Sequence, residues 1–106
     1  YDEIFTVKTK DILYIENRKH GSLIVTKDKS YETNKKPAEW YEIINQPNCF
    51  IQSHKSYLVN LQNVTNFDKS SITFETDDGN LVAHCISQRK YAEFKKAFFD
   101  FAGGIV

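Results

Sequence analysis

Apolar and polar residues alternate over short stretches along most of the chain, a pattern typical of β-strands that bury one face. Elsewhere, brief runs of β-branched and aromatic residues, such as Ile12-Leu13-Tyr14-Ile15-Glu16, indicate strands that are buried on both faces. About nine strands are predicted in this way, over residues 4–8, 12–16, 22–26, 30–33, 50–51, 57–59, 61–67, 71–76 and 81–86.

The hydrophobic period changes to that of a helix in two places. Over residues 37–44, Pro37 suits the first helical turn, and Trp40, Ile43 and Ile44 recur at helical spacing. From Ser87, which can cap a helix, four aromatic residues form a second apolar stripe that should face the core. They are Tyr91, Phe94, Phe98 and Phe101. The sequence therefore predicts a mainly β fold, with short antiparallel strands in small packed sheets, one short internal helix and a C-terminal helix.

The composition is that of a folded domain. With 106 residues, 41% of them apolar, the chain can bury one core and is too apolar for a disordered segment. The 14 basic and 14 acidic residues balance, so an argument for an anionic partner depends on local clusters. Because no apolar run could span a membrane and no secretory signal is visible, we expect a cytoplasmic protein. The chain begins at Tyr1, which suggests a fragment of a longer protein.

The sequence contains no pattern typical of a catalytic or metal site. Cys49 and Cys85 are too few for a disulfide scaffold, and isolated thiols are the expected state. His84 and Cys85 are neighbours in a predicted strand, so their side chains should point to opposite faces, and the spacing of Cys49 and His54 also favours opposite faces. There is no Cys-x-x-Cys pair, Gly-rich phosphate loop or Gly-x-Ser-x-Gly motif. We expect no enzyme activity, no metal and no cofactor.

Three clusters of basic and polar residues lie at corners of the predicted strands. They are Arg18-Lys19-His20, His54-Lys55 and Ser87-Gln88-Arg89-Lys90. Arg can donate two hydrogen bonds to guanine, Gln can pair with adenine, and Lys, His and Ser can hold phosphates. Arg89 and Lys90 also fall in the first turn of the predicted last helix, where the helix dipole disfavours cations unless an anionic partner is near. Together the clusters point to nucleic acid.

The second cluster belongs to the polar corner Gln52-Ser53-His54-Lys55-Ser56, which is held between two apolar pieces, Phe50-Ile51 and Tyr57-Leu58-Val59. A polar corner between buried anchors can present hydrogen-bond donors and positive charge from a fixed base.

These segments resemble a known family. Residues 12–16, residues 50–60 and Ile86-Ser87-Gln88-Arg89 are similar to the LytTR DNA-binding domain of bacterial response regulators, and the resemblance covers roughly residues 4–98. It implies an all-β fold with minor helices that binds double-stranded promoter DNA through loops. In that family the loops enter successive major grooves and bend the duplex. The resemblance also implies an upstream receiver domain in the full-length chain.

The family's base contacts can be transferred to this chain by position. They lie in the loop after the strand that ends in Ile15-Glu16, at the residue before Ser56, and at the Arg that follows the last strand. The implied base contacts are Arg18, His20, Ser22, Lys55 and Arg89, with His20 and Ser22 as alternatives for one position. The contacts expected with the DNA backbone are Lys19, His54, Ser56, Ser87, Gln88 and Lys90. A dimer on repeated DNA sites is left open. The alternative function is a non-enzymatic protein-interaction module that recognises an acidic partner.

Overall fold

Short antiparallel strands make up most of the regular structure in the computed structural model, which describes residues 4–103. The strands are β1 (Ile12–Arg18), β2 (Gly21–Thr26), β3 (Ser30–Thr33), β4 (Phe50–His54), β5 (Tyr57–Asn60), β6 (Val64–Phe67), β7 (Ile72–Thr76) and β8 (Gly79–Ala83). The helices are α1 (Pro37–Ile44) and α2 (Tyr91–Phe101), and two 3₁₀ turns span Thr9–Asp11 and Leu61–Asn63. The predicted mainly β class, with one internal and one C-terminal helix, is confirmed. Within residues 4–103, neither helix is long and apolar enough to cross a bilayer.

The strands form two antiparallel sheets. The five-stranded sheet has the order β3-β2-β1-β5-β4, and the three-stranded sheet has the order β6-β7-β8. Strand β1 is central, and Ile15 lies opposite Ile24 on one side and Leu58 on the other. Ile12, Leu13 and Ile15 are at most 4% exposed, as their β-branched, aliphatic character predicts. Strand β3 is an edge strand, which agrees with its short, polar sequence.

The core has two parts, one on each face of the five-stranded sheet. On one face, Leu13 and Val59 pack with Phe74 of the small sheet and Phe94 of α2. On the other face, Ile15 and other buried residues pack against Trp40 and Ile44 of α1. The register of β1 shifts between Ile12 and Tyr14, and such a bulge lets the neighbours Leu13 and Tyr14 contact the same cluster. Much of both faces of this sheet is therefore used in core packing.

The last predicted strand, residues 81–86, is shifted to Gly79–Ala83, and two other predicted strands differ from the structure in kind. Residues 4–8 do not pair with any described strand, and Ile4 is 93% exposed; Phe5 instead packs its ring 5.0 Å from the ring of Tyr31. Residues 4–8 are extended and pack Phe5 against the domain, but they make no hydrogen-bonded pairing with a described strand. At the start of the predicted strand 61–67, Leu61–Asn63 turns as a 3₁₀ helix because the side chain of Asn60 accepts the N–H of Gln62.

Both helices bury fewer of their apolar side chains than the spacing of those residues predicts. Phe94 is 1% exposed, but Phe101 at the end of α2 is 39% exposed and Ile43 of α1 is 57% exposed. Trp40 is the anchor that was expected: it packs on the core and its Nε1 donates to Thr33 Oγ1 at 2.9 Å. Each helix therefore contacts the sheets through a narrower face than its period suggests.

Candidate nucleic-acid interface

The first basic cluster lies at a two-residue turn. Strand β1 continues to Arg18, which pairs with Gly21, so only Lys19 and His20 connect β1 to β2 and the predicted loop is shorter than expected. Lys19 and His20 are exposed. Arg18 points out from the end of the strand, and its Nε lies 3.3 Å from Oε2 of Glu16 on the same strand face. The turn thus presents three potential cations over a very short distance.

The structure distinguishes the two alternatives for the first contact position. Ser22 is 1% exposed, and its hydroxyl donates to the carbonyl oxygen of Lys35 at 2.6 Å. A buried hydroxyl that already has an acceptor inside the protein is not accessible to a base edge. His20 lies at the tip of the turn and is exposed. Ser22 therefore has a structural role inside the domain. His20 remains the predicted contact residue at this position.

The second cluster occupies the turn between β4 and β5. Lys55 and Ser56 form the turn, and His54 accepts the backbone N–H of Ser56 at Nδ1 over 3.0 Å. With Nδ1 used as an acceptor, the ring hydrogen of a neutral His54 is on Nε2, which can donate to an external oxygen. The ring is also held edge-on to Tyr57 at 5.4 Å. This arrangement leaves Lys55 exposed at the tip of a turn whose conformation is fixed.

Only part of the polar corner is accessible. Ser53, which we expected to present a donor, is 0% exposed and its hydroxyl donates to the carbonyl oxygen of Cys85 at 2.6 Å. The pairing of β4 with β5 shifts in register between Gln52 and His54, so strict alternation does not hold across Ser53. Ser53 therefore fixes the position of the chain segment that follows β8.

The first two turns lie side by side. Strands β1 and β5 are neighbours, Glu16 pairs with Tyr57, and the backbone N–H of Asn17 donates to the carbonyl oxygen of Ser56 at 2.8 Å. These contacts place the Lys19-His20 turn and the Lys55-Ser56 turn at the same end of the five-stranded sheet. Clusters that are more than 30 residues apart in sequence are thus close in space.

The third cluster joins the second around an open groove. The backbone N–H of Ser87 donates to the carbonyl oxygen of Ser53 at 2.9 Å, which holds the segment after β8 against β4. The groove has a volume of about 500 Å³ and is lined by His54, Lys55, Ser87, Arg89, Lys90 and Glu93. Five of these six residues are predicted site residues. Gln88 is exposed nearby but does not line the groove.

The start of α2 corrects one step of the sequence argument. The helix begins at Tyr91, not near Ser87; the Ser87 carbonyl and hydroxyl oxygens accept the N–H of Lys90 at 3.1 and 3.3 Å and close a separate turn. Arg89 and Lys90 therefore precede the helix and do not occupy its first turn. The prediction that two cations lie in the first turn of the helix, against its dipole, is wrong. Their position is set by the turn at residues 87–90.

Two residues of this region were not predicted. Glu93, in the first turn of α2, brings a carboxylate to the basic groove, and its Oε1 lies 3.7 Å from Nζ of Lys90. Lys36, which precedes α1, donates from Nζ to three oxygen atoms of the β1–β2 turn. Helical spacing could have placed Glu93 beside Lys90, whereas no local pattern connects Lys36 to a turn 17 to 19 residues earlier.

The groups beneath the turns are neutral near pH 7. Burial, with a smaller contribution from the carboxylate of Glu16, raises the pKa of Tyr14 to about 12. Burial also raises the pKa of Tyr57, again with a contribution from Glu16. The thiol of Cys85, which is 0% exposed, has its pKa raised to about 12 by burial. Both cysteines are free, as expected, and the positive charge of the region comes from its exposed Arg and Lys side chains.

Comparisons with known proteins identify the family. The model of the LytTr DNA-binding domain family matches residues 2–99 of this chain. Among solved structures, one described as the LytTr DNA-binding domain of a methyl-accepting/DNA response regulator from Bacillus cereus is similar, with a TM-score of 0.62 and 20% sequence identity over 86% of this chain and 84% of that chain. At that identity the likeness is one of fold. No curated protein gives a significant match. Since the family match covers nearly the whole chain, the protein belongs to the LytTR family of DNA-binding domains.

Proposed function

We propose that this domain binds double-stranded promoter DNA sequence-specifically, through loops inserted in successive major grooves, and thereby regulates transcription. Membership of a DNA-binding family supports DNA binding in general. The mode of binding is our proposal. The observation that carries it is the convergence of three basic segments, distant in sequence, at one end of the five-stranded sheet.

The size of the turns fits this mode. Each of the first two turns has only two residues outside the strands, Lys19-His20 and Lys55-Ser56. A two-stranded β-ribbon can enter the major groove of B-DNA, which is roughly 12 Å wide, and its tip then reaches the base edges. In this proposal the duplex also bends to contact all three segments, and the cost of bending depends on sequence.

The contacts divide into base readout and positioning. We assign base contacts to Arg18, His20, Lys55 and Arg89, which are exposed and lie at turns or at the groove. Arg89 is the strongest candidate because a guanidinium can donate two hydrogen bonds to guanine O6 and N7. The residues that we assign to the DNA backbone are Lys19, His54, Ser56, Ser87, Gln88 and Lys90. Such contacts fix register and orientation without reading sequence.

The wider setting follows from the same hypothesis. We propose that the domain is the output part of a cytoplasmic two-component response regulator, with a receiver domain upstream, and that it pairs on repeated sites. Its action would need no cofactor and no catalytic step, since groove recognition uses only hydrogen bonds, charge and shape.

Selection from randomised duplex DNA tests the proposal directly. We expect the domain to recover a repeated motif, and a labelled duplex with that motif to resist competition by an excess of unrelated duplex. Binding that unrelated duplex removes equally well would contradict sequence-specific recognition. If no duplex is retained even at low salt, the alternative function, recognition of an acidic protein partner by the same turns, becomes the better explanation, because low salt strengthens any contact to phosphates.

A further inference from the structure

We infer that Lys36 is a positioning residue for sequence recognition: it holds the β1–β2 turn, with Arg18, Lys19 and His20, in the conformation that meets DNA. The inference rests on the proposed function, because it assigns to Lys36 the geometry of one of the three proposed contact segments. Lys36 itself lies outside that turn, in the connection between β3 and α1.

The ammonium group of Lys36 makes three hydrogen bonds to the same chain, at the surface of the domain. Its Nζ donates to the carbonyl oxygen of Arg18 at 2.5 Å, to that of Lys19 at 3.2 Å, and to the side-chain oxygen of Asn17 at 3.1 Å. A lysine has three N–H donors, so the three acceptors match its capacity. Hydrogen bonds from a charged donor are stronger than those between neutral groups. The two carbonyl groups at the turn are therefore held toward the protein.

The backbone of Lys36 is itself fixed. Pro37 follows it, and a residue before proline is restricted to extended conformations; Lys36 has φ −78° and ψ 159°. Its N–H donates to Oε2 of Glu39 at 2.8 Å, and its carbonyl oxygen accepts the N–H of Glu39 at 3.0 Å. The side chain consequently extends from a rigid helix start, not from a mobile loop.

A second set of contacts holds the connection between β3 and α1 against the start of β2. A Cβ atom built on Gly21 would lie 1.9 Å from the carbonyl oxygen of Thr33, so only glycine permits this close approach of the two backbones. Next to it, the hydroxyl of Ser22 donates to the carbonyl oxygen of Lys35 at 2.6 Å. Thr33, Lys35 and Lys36 thus each contact the β1–β2 hairpin, and we call residues 33–36 the clamp segment.

The clamp segment gives the turn a fixed shape before DNA arrives. With the carbonyl groups of Arg18 and Lys19 bound, the backbone from which the contacting side chains extend is ordered in the free protein. A pre-ordered contact loses less conformational entropy on binding, which favours the matching sequence over others. Nonspecific binding, which depends on the number of cations near phosphates, should depend far less on the shape of this turn.

Lys36→Met and Lys35→Met form a matched pair of variants. Each removes one positive charge from the clamp segment, but Lys35 is exposed, and within residues 4–103 its side chain makes no hydrogen bond. In the free domain we expect Lys36→Met, and not Lys35→Met, to lower the NMR order parameters of the backbone amides of Lys19 and His20, because the carbonyl groups of the turn are released. This readout is independent of DNA. Unchanged order parameters in Lys36→Met would overturn the clamp.

DNA binding gives the functional readout, with a duplex recovered by selection and a random-sequence duplex of the same length. We expect Lys36→Met to weaken binding about tenfold on the selected duplex and only about two- to threefold on the random one, and Lys35→Met to weaken both about two- to threefold. Equal losses for the two variants on the selected duplex would overturn the inference while leaving sequence-specific binding in place. Failure of the unsubstituted domain to prefer the selected duplex would instead overturn the proposed function, and the inference with it.

Discussion

The hydroxyl of Ser53 donates to the carbonyl oxygen of Cys85 at 2.6 Å, and both residues are 0% exposed. This hydrogen bond joins β4 to the segment that follows β8. It lies close to the groove formed by the second and third clusters, since His54, next to Ser53, and Ser87, two residues after Cys85, both line that groove. The groove is thus supported by a buried polar contact.

Removal of that contact should destabilise the fold. Ser53→Ala leaves the buried carbonyl of Cys85 without its side-chain donor, and we expect the free energy of unfolding to fall by about 1–3 kcal/mol. Urea denaturation followed by circular dichroism measures the change. Ser30→Ala on the exposed edge strand β3 is the control and should change stability by less than about 0.5 kcal/mol. Equal stability of both variants would mean that the Cys85 carbonyl finds another donor.

Arg89 should contribute to discrimination between sequences. We expect Arg89→Ala to cost roughly 1–3 kcal/mol of binding free energy on a selected duplex and much less on a random one, because a base contact is lost. Lys27→Ala is the control, since Lys27 follows β2 at the end opposite the Lys19-His20 turn. Isothermal titration with both duplexes gives the two values. The same loss on both duplexes would assign Arg89 to phosphate.

Lys90 should contribute mainly to salt dependence. Its Nζ pairs weakly with Glu93 at 3.7 Å, and a phosphate can replace that partner. We expect Lys90→Ala to reduce the slope of log K against log salt by about one unit. Glu93→Gln keeps the lysine and removes the competing carboxylate, so it should bind more tightly without a smaller slope. An unchanged slope in Lys90→Ala would place this lysine away from the DNA backbone.

The half-buried phenol of Tyr14 should make the fold sensitive to alkali. Burial raises its pKa from 10.0 to about 12, so between about pH 10 and pH 12 the unfolded chain loses this proton while the folded domain retains it. Stability therefore falls across that window and is unaffected by Tyr14 below it. Cys85, whose pKa burial also raises to about 12, adds to the fall.

The measurement is the free energy of unfolding at several pH values. Tyr14→Phe should lose less stability than the unsubstituted domain between pH 10 and 12, whatever its stability at pH 8. Tyr41→Phe, which removes a phenol on the exposed side of α1, is the control. Parallel curves for the unsubstituted domain and Tyr14→Phe would show that this phenol titrates alike in both states.

The sequence predicts the elements better than it predicts which side chains they expose. Hydrophobic period and turn residues were sufficient for the hairpin of β7 and β8 and for α1, because those signals are local. Ser53 was wrongly expected at the surface. Strict alternation from the buried Phe50 would also place Ser53 on the exposed face. The register shift between Gln52 and His54 turns it to the buried face instead. A bulge of this kind has no local signal here.

For the candidate site, too, the sequence predicts local features but not contacts between distant segments. The cationic turns were visible in the sequence because Arg, Lys and His are adjacent there, but only the structure shows that the second and third clusters line one groove. The burial of Ser22 and the role of Lys36 depend on contacts across 13 to 19 residues, between strands and the connection to α1. Such pairings follow from the completed topology and not from spacing along the chain.

Strand β5 lies between β1 and β4, and this order has a consequence for how the domain acquires its surface. The three basic segments are brought together only after strands that are distant along the chain have paired, so no local fragment carries the complete surface that we propose for DNA. Folds dominated by nonlocal pairing form slowly, since loop closure precedes any stabilising contact. Newly made chains should therefore pass through a lag in which they do not yet distinguish a selected duplex from a random one.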